Sequence, residues 1–295
     1  MTKSFKSGMV ALAGRPNVGK STLLNALIGE KVSIVSPKPQ TTRNRIVGIK
    51  NLPGSQIIFV DTPGIHKPQH KLGELIVAKA CESVKEVDLI LFMAEPEKPG
   101  KGDNFILDMV RTLNKDVFLL INKIDNVKKP ELLPVIEAYT ELYDFTEIIP
   151  VSAKTGDGTD ILLERIVERL PEGPKYYPDD IVTDQIERFM VAEIVREKVM
   201  QKTGDEIPYS VAVEVISWTE KKEDVILIDA NIYVERDGQK GIIIGKSGRK
   251  LKEIGTAARF EAERLLGCKL FLKLWVKVKK DWRGDERALK DLGYN

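Results

Sequence analysis

The octapeptide GRPNVGKS, Gly14 to Ser21, follows the apolar run MVALA and fits the pattern G-x-x-x-x-G-K-[ST]. Residues of these types at this spacing hold a chain of phosphates. Gly14 and Gly19 permit backbone conformations that turn several N–H groups toward one phosphate. The helix expected next points its positive end at the same place. Lys20 can reach the outer phosphates and Ser21 can ligate Mg²⁺. The expected nucleotide lining here is Gly14, Arg15, Pro16, Asn17, Val18, Gly19, Lys20, Ser21 and Thr22.

Four further stretches follow in the order a GTPase requires. PQTTRNR offers a threonine that could cap Mg²⁺ from the opposite side, Thr42 being favoured over Thr41. In DTPG, Asp61 would hold Mg²⁺ through water and the Gly64 N–H would contact the γ-phosphate. NKID supplies Asn122, Lys123 and Asp125, and VSAK supplies Ser152, Ala153 and Lys154. A carboxylate at Asp125 can accept hydrogen bonds from guanine N1–H and the exocyclic amine. Adenine offers neither donor, and sites of this kind discriminate by roughly 10⁴–10⁵. Asn122 would brace the loop, Lys123 cover the base plane, and the Ala153 N–H meet O6. The expected ligands are GTP or GDP with Mg²⁺. The metal set is Ser21, Thr42 and Asp61, and the catalytic set is Lys20, Thr42, Asp61 and Gly64.

A second glycine-rich stretch, GIIIGKSGRKLKEIG, lies toward the other end. Gly245-Lys246-Ser247-Gly248 reads as a turn between an apolar helical run and a basic helix. Such a turn lets a nucleic-acid backbone approach closely, with about four nucleotides clamped beside it. Lys246, Arg249, Lys250 and Lys252 are expected at phosphates. Ile242 and Ile243, with Ile254, are expected at an apolar floor or in packing. In KLFLKLWVKVKK, Lys273, Lys277 and Lys279 share one face with Lys269 in line. That face either widens the RNA footprint or is solvated.

Two sets of elements must position these residues. Strand-like runs MVALA, RIVGI, QIIFV, DLILFM, DVFLLI and EIIPV alternate with helix-period stretches at 20–28, 72–85, 102–113, 130–143 and 159–170. This alternation predicts an α/β fold, the doubly wound sheet of a Ras-like P-loop NTPase, with each motif at the carboxyl end of a strand. LPEGPKYYPDD then marks a boundary. Beyond it the order is helix (181–202), strand, strand, helix, strand, a small α+β domain. The expected division is a nucleotide-binding domain over 8–172, a linker over 173–180, an RNA-binding domain over 181–282 and a tail over 283–295.

The 295 residues, 42% hydrophobic and 31% charged, suit two globular domains. No run of about 18 apolar residues predicts a membrane-spanning helix, and the first residues lack a secretory centre, so a cytoplasmic protein is expected. Cys81 and Cys268 have no metal-ligand spacing and are read as reduced thiols. The net charge of +2 conceals an asymmetry. Residues 240–295 carry 15 Lys/Arg and 7 Asp/Glu, a balance of +8, which leaves −6 for the rest. A basic segment on an acidic body points to a polyanionic partner.

Residues 8–170, with GRPNVGKS, PQTTR, DTPG, NKID and SAK, resemble the small GTPases of the Era/TrmE type. The order around GKSG resembles a type II KH domain, and the whole chain is similar to bacterial Era GTPases. The resemblance implies a partner, the 3′ end of small-subunit ribosomal RNA during subunit assembly, with loose peripheral contact at the inner membrane and a monomeric protein. It also implies a potassium ion beside the phosphates, held through Asn17. Ras-like enzymes carry a glutamine after DxxG; Ile65 stands there, so slow intrinsic turnover is expected. Segments 31–45 and 61–75 read as switch loops, and His66 and His70 as exposed loop residues. Two rivals remain at this level. One is a non-enzymatic RNA scaffold with nucleotide as a structural ligand. The other is an RNA-modifying enzyme, for which 175–295 offers no nucleophile or metal cluster.

Overall fold

In the computed structural model, residues 4–65, 70–204, 206–221 and 224–294 are described; His66 lies outside them. The six apolar runs form one sheet: β1 (Lys6–Gly14), β2 (Ile46–Leu52), β3 (Ser55–Asp61), β4 (Leu89–Ala94), β5 (Asp116–Ile121) and β6 (Glu147–Pro150). The order is β2-β3-β1-β4-β5-β6, parallel except for β2, which runs antiparallel to β3. The helices are α1 (Lys20–Ile28), α2 (Lys71–Lys85), α3 (Lys101–Arg111), α4 (Lys129–Thr140) and α5 (Thr159–Arg169). Every residue of β3 and β4 is buried, as expected of strands covered on both faces. Strand β1 pairs with β3 on one side and β4 on the other. The strand order therefore reverses at β1, and a crevice opens beyond its carboxyl end.

The chain divides into two compact units. The first takes Met1–Ser33, Thr42–Pro68 and Ile76–Asp184; the second takes Ile34–Thr41, Gln69–Leu75 and Gln185–Asn295. The segment expected as a linker, 173–180, is fastened to the first unit. Buried Gln56 donates to the Tyr177 carbonyl (2.8 Å) and accepts from the N–H groups of Tyr176 (2.8 Å) and Tyr177 (3.0 Å). The Ile49 N–H donates to the Val182 carbonyl (2.8 Å), and the Thr183 hydroxyl donates to the Val47 carbonyl (2.6 Å). The helix expected from Ile181 consequently starts only at Glu187, because the backbone before it is engaged with β2.

The second unit contains α6 (Glu187–Lys202), the short α7 (Ile207–Ser210), β7 (Ala212–Lys221), β8 (Val225–Val234), α8 (Asp237–Ile244), α9 (Arg249–Leu266), β9 (Lys269–Val278) and α10 (Glu286–Asp291). Its sheet runs β7-β8-β9, with β7/β8 antiparallel and β8/β9 parallel. The core joins Val191 and Val195 of α6, Ile254 and Ala258 of α9, and Ile228, Ile232 and Val276 of the sheet. Of the residues expected as a tail, 283–295, those described, 283–294, are packed instead. Trp282 is fully buried, donates from Nε1 to the Ser210 carbonyl (3.0 Å) and stacks on Tyr294 at 5.8 Å between centroids. Asp285 caps α10 and Leu289 is buried beneath it. The early segment Ile34–Thr41 is fixed within this unit by Glu197, which accepts the Val35 N–H (2.8 Å), and by Lys38, which donates to the Met200 carbonyl (2.7 Å).

Candidate nucleotide site and nucleic-acid interface

Strand β1 ends at Gly14 and α1 begins at Lys20, so the loop between them lies at the switch point of the sheet. Gly19 caps α1 with φ 101°, a left-handed value that glycine adopts without penalty. A Cβ there would strike the Asn122 amide. The first turn of α1 carries no acidic residue, so its positive end stays open to an anion. Lys20 is buried, and its ammonium donates to the carbonyls of Gly14 (3.1 Å) and Arg15 (2.9 Å). Burial pushes it down to about 8, against the opposing charge of Asp61.

Three predicted metal ligands converge. Ser21 Oγ donates to Asp61 Oδ2 at 2.7 Å and lies 2.8 Å from Thr42 Oγ1. Thr42 Oγ1 is 3.4 Å from the same carboxylate oxygen. The Thr41 hydroxyl instead donates to the Lys38 carbonyl (2.6 Å). Burial raises the Asp61 carboxyl, opposed by Lys20, Ser21, Ser33 and Thr42. Its Oδ1 is buried and has no hydrogen-bond partner among the described residues. Two hydroxyls and one carboxylate form the hard-oxygen set that suits Mg²⁺, and the orphaned oxygen fits a cation there. Gly64 lies against the loop: a Cβ on it would fall 2.8 Å from the Pro16 backbone. The Ile65 N–H donates to the Gly14 carbonyl (3.3 Å) while its side chain enters the core.

Asn122 ties the two ends of the crevice together. Its amide donates to the Val18 carbonyl (2.7 Å) and accepts the Ala153 N–H (2.9 Å). Asp125 is exposed, accepts from Ser152 Oγ (2.7 Å) and is held below the usual carboxylate range chiefly by that bond. Lys123 adopts φ 64° and pairs with Glu95, and Lys154 is exposed. Asn17 is exposed at φ 67°, and Thr22 is half-buried on α1.

The Arg15 side chain turns away from the loop toward carboxylates. Its guanidinium pairs with Glu97 (2.5 Å) and with Asp103 (3.0 Å), which is fully buried and needs a cation. The guanidinium is therefore committed to these two carboxylates, which leaves the Arg15 backbone for the loop. Sequence reasoning also missed Ser33, whose hydroxyl donates to Asp61 Oδ2 (3.1 Å), and Asn25, which fixes Ser33 by accepting its N–H (2.9 Å) and donating to its carbonyl (2.8 Å). No spacing rule marks either residue, since these bonds form only in the fold.

In the second unit α8 and α9 meet at GKSG. Gly245, Ser247 and Gly248 adopt φ of 71°, 52° and 74°, and a Cβ on Gly245 would fall 2.8 Å from Lys250 Cβ. Lys246, Ser247, Arg249 and Lys252 are exposed, Lys250 is half-buried, and Ile242 is exposed. Ile243 is a further correction: it is fully buried in the core, as is Ile254, because α8 turns that side inward. Ile242 alone of the pair is exposed.

Residues 9–123 match a family model described as a 50S ribosome-binding GTPase, and residues 206–283 match the KH domain. GTPase Era of Geobacter metallireducens is 55% identical over 292 residues, 98% of each chain. The chain belongs to the Era family of GTPases. Era of Ruminiclostridium cellulolyticum is 51% identical over 292 residues, 99% of this chain and 98% of that one. Two solved Era structures are similar throughout, at 45% identity over 98% of this chain and 99% of theirs. A tyrosine-to-alanine variant of Aquifex aeolicus Era bound to GDP·AlF4⁻ gives a TM-score of 0.95. Era in complex with MgGDPNP and nucleotides 1506–1542 of 16S ribosomal RNA gives 0.96.

Proposed function

We propose that the protein is a GTP-hydrolysing switch that binds the 3′ end of small-subunit ribosomal RNA through its KH domain and assists small-subunit assembly. The observation that carries this reading is the pairing, on one Era-family chain, of the converged Ser21–Thr42–Asp61 set with an exposed GKSG turn. The family relatives solved with MgGDPNP plus 16S RNA and with GDP·AlF4⁻ support it. The domain-family description names the 50S subunit, but the full-length relative holds 16S RNA, and the full-length match has the greater weight.

In this reading the loop amides and Lys20 neutralise the phosphates, and Asp125 selects guanine. Ser21, Thr42 and Asp61 would hold Mg²⁺, which neutralises charge on the phosphate oxygens when bound. The Gly64 N–H would contact the γ-phosphate. Ile65 cannot align a water, so intrinsic turnover is slow. Potassium at Asn17, a monomeric state and peripheral membrane contact belong to the same reading through the family resemblance.

The switch requires that GTP and GDP forms differ in RNA affinity, since a ligand that binds two states equally shifts neither. RNA affinity is to be measured for apo, GDP-loaded and GTP-analogue-loaded protein at two salt concentrations. Tighter binding with the analogue is expected. Equal affinity in all three, without multiple-turnover phosphate release on RNA, would favour the scaffold.

A further inference from the structure

The helices of the second unit cover one face of its sheet, the face carrying Ile228, Ile232 and Val276. On the other face β9 presents Lys269, Phe271, Lys273, Trp275 and Lys277 at every second position, all exposed. Phe271 is 67% and Trp275 56% accessible. The register places Leu227 beside Phe271, Asp229 beside Lys273, Asn231 beside Trp275 and Tyr233 beside Lys277. None of the five β9 side chains forms an ion pair or ring contact with another described residue. Among the described residues the face also holds two carboxylates. Glu214 is engaged by the Tyr233 hydroxyl (2.8 Å), and Asp229 adjoins Lys273 without forming a salt bridge.

We propose that this sheet face is a second RNA-binding surface, separate from the GKSG turn. Phe271 and Trp275 each stack one base of a single strand, and Lys269, Lys273 and Lys277 meet its phosphates. The inference rests on the RNA-binding reading above only for the class of polymer. Four residues of strand separate the aromatics, about 13 Å at 3.3 Å per residue, which leaves room for a phosphate contact between two stacked bases. A flat row of aromatics with interleaved cations accepts any base, because every base has a π-face. A solvated strand face would carry polar residues where these rings stand. A protein interface core is poor in lysine. A lipid surface would need a continuous apolar band, which the alternating lysines interrupt.

The test uses the full-length protein and a labelled oligouridylate of about twenty nucleotides, a length covering more than one site. Phe271→Ala/Trp275→Ala is expected to weaken binding at least about tenfold, as loss of two stacked bases requires. Phe271→Tyr/Trp275→Tyr should retain it. A parallel variant, Lys246→Asp/Ser247→Asp, disables the turn; aspartate tolerates the left-handed conformation at 247. Loss in both variants supports two surfaces. Loss only in the sheet variant supports this inference and removes the turn reading. Loss only in the turn variant overturns the inference and leaves the turn reading intact. A blue shift of tryptophan emission with phosphatidylserine vesicles that Trp275→Tyr abolishes, with no emission change on adding RNA, would overturn it in favour of a membrane.

Discussion

Lys20 sets a proton linkage for the nucleotide site. Its ammonium is pushed down to about 8 by burial, whereas phosphate binding needs the charged form. Below about pH 8 the free protein holds that proton and affinity should be level. Above it, binding must take up a proton, so affinity for GDP should fall as pH rises. Calorimetry in two buffers of different ionisation heat reads the proton uptake directly; no uptake at pH 9 would contradict the assignment. Ile65 gives a second prediction at this scale. Its side chain is in the core, so Ile65→Gln should not accelerate hydrolysis as a water-aligning glutamine would. It should lower stability by roughly 2–4 kcal/mol through lost packing and an unsatisfied amide, seen as a reduced Tm. Asn122→Ala, which removes the bonds to both Val18 and Ala153, should weaken guanine nucleotide binding at least about tenfold by the loss of two buried hydrogen bonds. The motifs made Ser21, Asp61, Asn122 and Asp125 legible, since their chemistry is tied to local spacing. Ser33 and Asp103 were not, because their roles depend on partners 28 and 88 positions away in the chain.

At the scale of elements, the strands and helices of the first unit were legible because buried parallel strands are continuous apolar runs. The start of α6 was not, because Val182 and Thr183 are claimed by β2, and no local propensity records that. On β9 the lysines were noticed but the rings between them were not, although residue parity puts Phe271 and Trp275 on the lysine side. The C-terminal element makes a firm prediction. Trp282 and Leu289 are fully buried in the second unit, so truncation after Lys280 should lower its Tm markedly and broaden its NMR spectrum. Removing a buried Trp alone costs about 3–5 kcal/mol. A well-folded truncated chain would show that the packing of 282–294 is incidental.

At the scale of the whole molecule, charge is divided along the chain: +8 over 240–295 against −6 elsewhere. RNA affinity should therefore fall steeply with salt, in proportion to the phosphates neutralised, while nucleotide affinity should vary little. The fastened segment 173–184 has a consequence for how the chain can be cut. It masks the outer edge of β2, and an uncovered edge strand is a template for pairing with another chain. A nucleotide-binding fragment ending at 172, where composition suggests a boundary, would bare that edge and should aggregate. One ending at 184 should stay monodisperse. The two modules therefore cannot be exchanged or recombined at the point where the prolines begin; the interchangeable piece includes its own protective strap.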